Sequence, residues 1–299
     1  ALMMKKIIFP ILLIILCSGK LFGQQSPLYT QFMFNPYVIN PAIAGTYNFY
    51  QIRSNHRFQW IGIQDAPITN TLSIYGPLEK QPMGLGGYIF SDVIGPESKT
   101  GLYGTYAYNY PINEEIKISM GLTAGLLQYK IDGTQIDFYE VEPTYSQGIE
   151  SRFIPDASVG LYLYSHMFHV GFSANQLINN KLNFGVDPTG LSKLKSHFYL
   201  TGGYKYYINR DWAVEPTMIV KAVLPTPPQL DFAARTIYQN MLWLGFTYRT
   251  GDAVSVLLGY AYENKILIGY SYDIGINDIA PYNTGSHELM IGFKFDDLK

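Results

Sequence analysis

A single cysteine, Cys17, in 299 residues excludes an intrachain disulfide and any cysteine-rich metal centre. Charge is also scarce. Only 15% of residues are charged, and 21 Lys and Arg stand against 23 Asp and Glu, which gives no electrostatic case for nucleic acid as a partner. Beyond the first two dozen residues, no apolar run approaches the roughly 20 residues that a membrane helix needs. Long Leu, Ala, Glu and Lys periods are missing, which argues against a helical fold. A Gly-x-Ser-x-Gly nucleophile motif is absent, and Gly84-Leu85-Gly86-Gly87 lacks the Lys-Ser/Thr of a phosphate loop. What abounds is Tyr (26) and Gly (28), in short alternating runs typical of β architectures.

The exception to the missing apolar runs is at the start. Lys5 and Lys6 precede an apolar stretch over 7–16, and Leu21-Phe22-Gly23 stands before Gln24-Gln25. This pattern predicts a cleaved signal peptide over residues 1–23, too short to remain as a membrane anchor. Cys17 follows Ile15-Leu16 and lacks the small neighbour of a lipoprotein cleavage site. Cleavage would remove Lys5, Lys6 and Lys20 and no acidic residue, leaving an exported, cysteine-free chain of net charge about −5.

The rest divides into about 14 alternating segments, each near the ~9–11 residues of a tilted transmembrane strand. Val254, Val256, Leu258, Tyr260 and Tyr262 share one face, while Ser255, Gly259 and Ala261 share the other. Ile266, Ile268, Tyr270, Tyr272 and Ile274 repeat the pattern, as do Leu242, Leu244, Phe246 and Tyr248. Period two hides every other residue from whatever meets the first set, either a second sheet in a soluble sandwich or lipid around a barrel. Loop lengths favour lipid. Longer connections (93–99, 131–154, 176–196, 224–229, 275–285) alternate with tight ones near 113–114, 165–166, 239–240 and 263–264, the asymmetry of an outer-membrane barrel. The last strand, with Leu289, Ile291, Phe293 and Phe295 alternating, resembles the terminal signal read by barrel-insertion machinery. The sequence therefore predicts an all-β fold: a transmembrane antiparallel β-barrel over 49–299, a periplasmic lead over 24–48, both termini periplasmic, and location in the outer membrane among its lipids.

The lead carries two Asn-Pro steps, Asn35-Pro36 and Asn40-Pro41, among Phe32, Phe34, Tyr37 and Ile39. Proline fixes its own φ and restricts the residue before it, so extended segments joined by turns are expected, excluded from the sheet. The apolar side chains must be covered, either by bracing or plugging the barrel mouth or by a partner. By alternation Arg53, Arg57, Lys205, Glu215, Lys221, Asp231, Arg235 and Arg249 point into the lumen, where mixed charges suit an ion-paired plug or a selective pore. His166 and His169 sit at a predicted tight turn with no converging ligand, and Asp132, Asp137, Glu140 and Glu142 lack EF-hand spacing. No catalytic, cofactor or metal site is expected.

Phe32-Met33-Phe34-Asn35-Pro36 after Gln31, then Ile39-Asn40-Pro41-Ala42-Ile43-Ala44-Gly45, resembles the N-terminal signature of the PorP/SprF family. Arg57 to Trp60 with Gly62, Ala66-Pro67-Ile68-Thr69, Gly84-Leu85-Gly86-Gly87-Tyr88, Asp92, Ile94-Gly95-Pro96 and Tyr106-Ala107-Tyr108 extend the likeness over 26–111. The resemblance implies a non-enzymatic outer-membrane barrel of the type IX secretion and gliding-motility machinery of Bacteroidetes. It further implies docking to periplasmic ring lipoproteins or a peptidoglycan-associated protein, or service to one large surface adhesin, and it supplies no catalytic residue. Two other readings remain open at this point. One is a porin or solute transporter; the other is a barrel enzyme, which would require one of His56, His166, His169, His197 or His287 in a rim Ser/His or Asp/His set.

Overall fold

A computed structural model describes residues 27, 29–136, 148–180 and 193–295. The strands are β1 (Tyr50–Phe58), β2 (Ile68–Pro77), β3 (Met83–Ile94), β4 (Glu97–Pro111), β5 (Lys117–Asp132), β6 (Ile149–Tyr164), β7 (Phe168–Asn175), β8 (His197–Tyr204), β9 (Tyr206–Tyr207), β10 (Trp212–Ala222), β11 (Gln229–Tyr238), β12 (Leu242–Arg249), β13 (Ala253–Tyr262), β14 (Ile266–Gly275) and β15 (Ser286–Phe295). The short β9 and the longer β8 both pair with β10, so the two form one stave interrupted at Lys205. The result is a closed antiparallel barrel of 14 staves, sealed where β1 pairs with β15 from Tyr50↔Phe295 to Phe58↔His287. Closure leaves no sheet edge, as a lipid environment demands.

Alternation translates directly into two surfaces. Along β4, Leu102 is 64% exposed and Tyr103 4%; β12 repeats the pattern strictly, with Leu242, Leu244, Phe246 and Tyr248 out and Trp243, Thr247 and Arg249 in. The outer face is Leu, Ile, Phe and Tyr, while the buried inner face carries Ser, Thr, Asn, Arg, Asp and Glu. An exterior this apolar around an interior this polar inverts a soluble protein and matches lipid outside. A Leu102→Arg substitution should accordingly destabilise the barrel in lipid vesicles by about 2–4 kcal/mol, against well under 1 for Leu102→Ile, read from denaturant midpoints.

The tight turns are where sequence demands them. Gln239 and Asn240, and again Glu263 and Asn264, have positive φ at both central positions, the twist that suits a right-handed ladder. One expected long loop is instead tight. The connection near 93–99 closes as a short turn at Gly95 (φ +53), because β3 and β4 pair out to Ile94↔Glu97. The long connections follow β1, β5, β7 and β14; the end they share is called the loop end below, and the opposite end the turn end.

Candidate functional site

The lumen is occupied by the chain's own N-terminal segment. Residues 29–45 run from the loop end, where Tyr29 and Thr30 lie, to the turn end, where Gly45 meets Gly84 and Asn109 before β1 begins at Tyr50. A lead lying wholly with the tight turns is therefore not what forms. The segment packs apolar against apolar and sets its amides against polar side chains and backbone carbonyls of the wall, and burial there covers side chains that would otherwise face water.

Each Asn-Pro step opens a short 3-10 turn, Pro36–Val38 and Pro41–Ile43, rather than an extended stretch. Proline at the first helical position forfeits no hydrogen bond, and Asn40 caps the second turn by accepting from the Ala42 N–H at 3.0 Å. The Asn40 amide also donates to Leu161 O at 3.0 Å and Phe172 O at 3.3 Å, tying the turn to β6 and β7. Asn35 donates to Asn55 Oδ1 at 2.8 Å and to Ser73. Tyr37 donates to Thr105 Oγ1 at 2.7 Å and stacks on Tyr75 with centroids 4.4 Å apart. The barrel wall answers: Ser119 donates to Ala42 O at 2.6 Å, and Ser173 and Asn175 both donate to Ile39 O. Phe32, Phe34, Tyr37, Ile39, Ala42 and Ile43 are all buried, with Phe34 lying 4.9 Å from Trp243 and under the Arg235 guanidinium.

Close approach explains the inward glycines. A Cβ on Gly121 would collide with the Pro41–Ala42 backbone, one on Gly160 with the Asn40 amide, and one on Gly84 with Ala44 and Gly45. Glycine is used here for space, since the plug's backbone rests directly on the wall.

At the loop end the segment is clamped by charge. Thr30 N–H donates to Glu288 Oε2 at 2.7 Å, and its hydroxyl donates to Asp273 Oδ2 at 2.7 Å while accepting from Arg57 (2.8 Å) and Arg249 (3.1 Å). Arg57 pairs with Asp273 at 2.7 Å and Glu288 at 3.4 Å; Arg249 pairs with Asp231 at 3.2 Å and Asp252 at 2.9 Å; Lys221 pairs with Asp231 at 2.7 Å. All but the last-named Lys221 and Asp252 are buried, so the charges are held by each other and by Thr30. The cluster's cost of desolvation is offset only while every partner is present. Asn40→Ala, which strips a cap and two wall bonds, should lower stability by about 2 kcal/mol in urea titrations of refolded barrel.

Of the eight charges assigned to the lumen by alternation, Arg53, Arg57, Asp231 and Arg249 are buried within it, and Glu215 and Arg235 form a half-buried pair at 2.8 Å. Lys221 joins the loop-end cluster, whereas Lys205 sits at the turn-end rim, 3.5 Å from Asn240 Oδ1 and over the Tyr207 ring. Asp273 and Glu288 were missed as clamp residues, although both stand at inward positions of β14 and β15 and the same alternation marks them. His169, expected at the tight turn, lies within β7 and faces inward, 5.6 Å from the Tyr162 ring and against Gly203. His56 faces outward, bonded to Ser54 and Asn70, and His287 faces outward against Tyr270. Among the described residues no three His, Cys, Asp or Glu side chains converge as metal ligands. Asp137, Glu140 and Glu142 lie outside the described residues, as does the expected signal segment 1–23.

A closed barrel, greasy outside and polar within, defines an outer-membrane β-barrel protein, and solved barrels share the architecture. The monoaromatic hydrocarbon channel CymD is similar at TM-score 0.51 and 13% identity, over 93% of this chain and 96% of that one. The toluene transporter TodX of P. putida is similar at TM-score 0.52 and 10% identity, over 86% and 92%. None of the curated proteins matches the chain. The family model described as type IX secretion system membrane protein PorP/SprF matches residues 21–293, and the chain belongs to that family. It is accordingly a membrane protein of the type IX secretion system, located in the outer membrane.

Proposed function

We propose that this chain is a non-enzymatic, plugged component of type IX secretion that works through its surfaces, supporting export or surface attachment of a large adhesin or docking to the periplasmic ring. The occupied lumen supports this reading most: a barrel filled from Thr30 to Gly45 and locked by buried ion pairs is a platform more than a conduit. Family membership supplies the secretion context. The wall positions facing lipid bind the membrane, and the two ends are left for partners: periplasmic ring lipoproteins or a peptidoglycan-associated protein at one, adhesin cargo at the other. Residues Phe32, Phe34, Asn35, Pro36, Tyr37, Asn40 and Pro41 serve in bracing the barrel, and the domain limits follow as signal peptide 1–23, lead 24–48 and barrel 49–299.

A deletion strain decides between this and the solute-channel reading that the CymD and TodX folds invite. Loss of adhesin from the cell surface, with small-solute uptake unchanged, is the expected outcome. Normal adhesin display with impaired uptake of a hydrophobic solute would establish the channel reading instead.

A further inference from the structure

Above the plug, at the loop end, the lumen keeps a vestibule lined in part by Val38 and Ile39. We infer that this vestibule binds a neutral, hydroxyl-rich sugar ring. Its wall is aromatic: Tyr88 and Tyr103 stack on each other 4.7 Å apart at 11° between planes, and Phe90 continues the row at 6.1 Å and 15° from Tyr103. Tyr29 and Tyr199 face the same space. Pyranose rings present apolar C–H faces that lie against aromatic faces, while their edges are hydrogen-bonding hydroxyls.

The edge chemistry is present too. Asp156 accepts from Tyr103 OH at 2.9 Å and from the Ala157 N–H at 2.7 Å, and among the described residues no cation pairs with it. Asn175 is oriented by its bond to Ile39 O, and its buried Oδ1 has no partner among the described residues. The hydroxyls of Tyr88 and Ser158 make no hydrogen bond among the described residues and line the same vestibule. A buried polar atom left unpaired calls for an occupant that pairs it, and the Asn175 Oδ1 together with the Tyr88 and Ser158 hydroxyls and the Asp156 carboxylate suits several hydroxyls rather than one charge.

The alternatives fit less well. An aromatic hydrocarbon would stack but would strand Asp156, Asn175 and Ser158. An anionic sugar would set its charge beside the unpaired Asp156 carboxylate.

The test uses the full barrel in detergent, with calorimetric titration of maltohexaose, a neutral mannose oligomer and a neutral galactose oligomer as probes. A galacturonate oligomer and tetramethylammonium serve as charged comparisons. Binding of at least one neutral oligomer is expected, falling about tenfold or more in Phe90→Ala and in Asp156→Asn. Heat-modifiable gel mobility checks that both variants fold, and the wild-type ranking stands as the readout if either does not. Two further arms, oligosaccharide released from the cells' lipopolysaccharide and from secreted glycoproteins, identify the source. Absence of neutral-oligomer binding, preference for a charged probe, or affinity unchanged in both folded variants would each overturn the assignment. The inference stands apart from the secretion reading, since sugar binding is measured without cargo or ring.

Discussion

Arg57→Ala should lower the stability of the barrel by about 3–5 kcal/mol, the cost of taking the nearest cation from two buried carboxylates. Arg57 holds Asp273 at 2.7 Å and Glu288 at 3.4 Å, and it donates to the Thr30 hydroxyl that anchors the plug. Removing it leaves Glu288 with no cation among the described residues and Asp273 with only Arg249 at 3.7 Å, and Arg249 is already engaged by Asp231 and Asp252. The expected measurement is a large drop in the urea midpoint of barrel refolded into vesicles, with loss of heat-modifiable mobility at moderate temperature. An Arg57→Lys chain should recover only part of the loss, because an ammonium cannot reproduce the forked guanidinium contacts. A midpoint unchanged in Arg57→Ala would mean that the cluster contributes nothing to holding the plug.

The second large effect is steric. Gly121→Leu places a side chain where the Pro41–Ala42 backbone lies, and neither partner can yield without moving the 3-10 turn off the wall. The barrel ladder through Gly121 pairs with Ala107 and Gly160 and can persist, so the expected product is a closed barrel with an expelled or misplaced plug. Limited proteolysis reads this directly: 29–45, protected in the wild-type barrel, should become cleavable at least tenfold faster. Equal protection in the variant would show that the segment has room it does not use. Overpacking of this kind typically costs 1–3 kcal/mol even where the core adapts, and about that much remains if the turn shifts rather than leaves.

Much of this molecule is legible because a barrel wall is a local code. Period-two alternation marks Val254 to Tyr262 as lipid-facing and Arg53, Arg57 and Arg249 as interior, and the turns at Gln239-Asn240 and Glu263-Asn264 announce themselves by residue type. Strand number follows from segment length. The clamp was half-read for a different reason. Asp273 and Glu288 occupy inward positions, but a lone acid in a Tyr- and Leu-rich strand signifies little until its partner is known, and Glu288 bonds to Thr30 across 258 residues.

The lead's route was the least legible feature. Proline and asparagine spacing shows that 35–41 cannot join the sheet, but it does not say on which side of the wall the segment lies. Only the complementary interior decides it: glycines on β3 and β5 shaped to its backbone and one on β6 to the Asn40 amide, Ser119 and Ser173 aimed at its carbonyls, and a guanidinium pair around Thr30. Those partners are scattered from residue 57 to residue 288, and no window of sequence contains them. The Asn-Pro pairs thereby acquire a definite role as initiators of two 3-10 turns that turn the plug through the lumen.

Single-channel recording in planar bilayers tests the occupied lumen most directly. The wild-type barrel should be electrically silent, and a chain lacking residues 29–45 but retaining the barrel should pass steady ionic current. A wild-type barrel that conducts steadily, with current unchanged by that deletion, would contradict a lumen sealed by its own N-terminal segment.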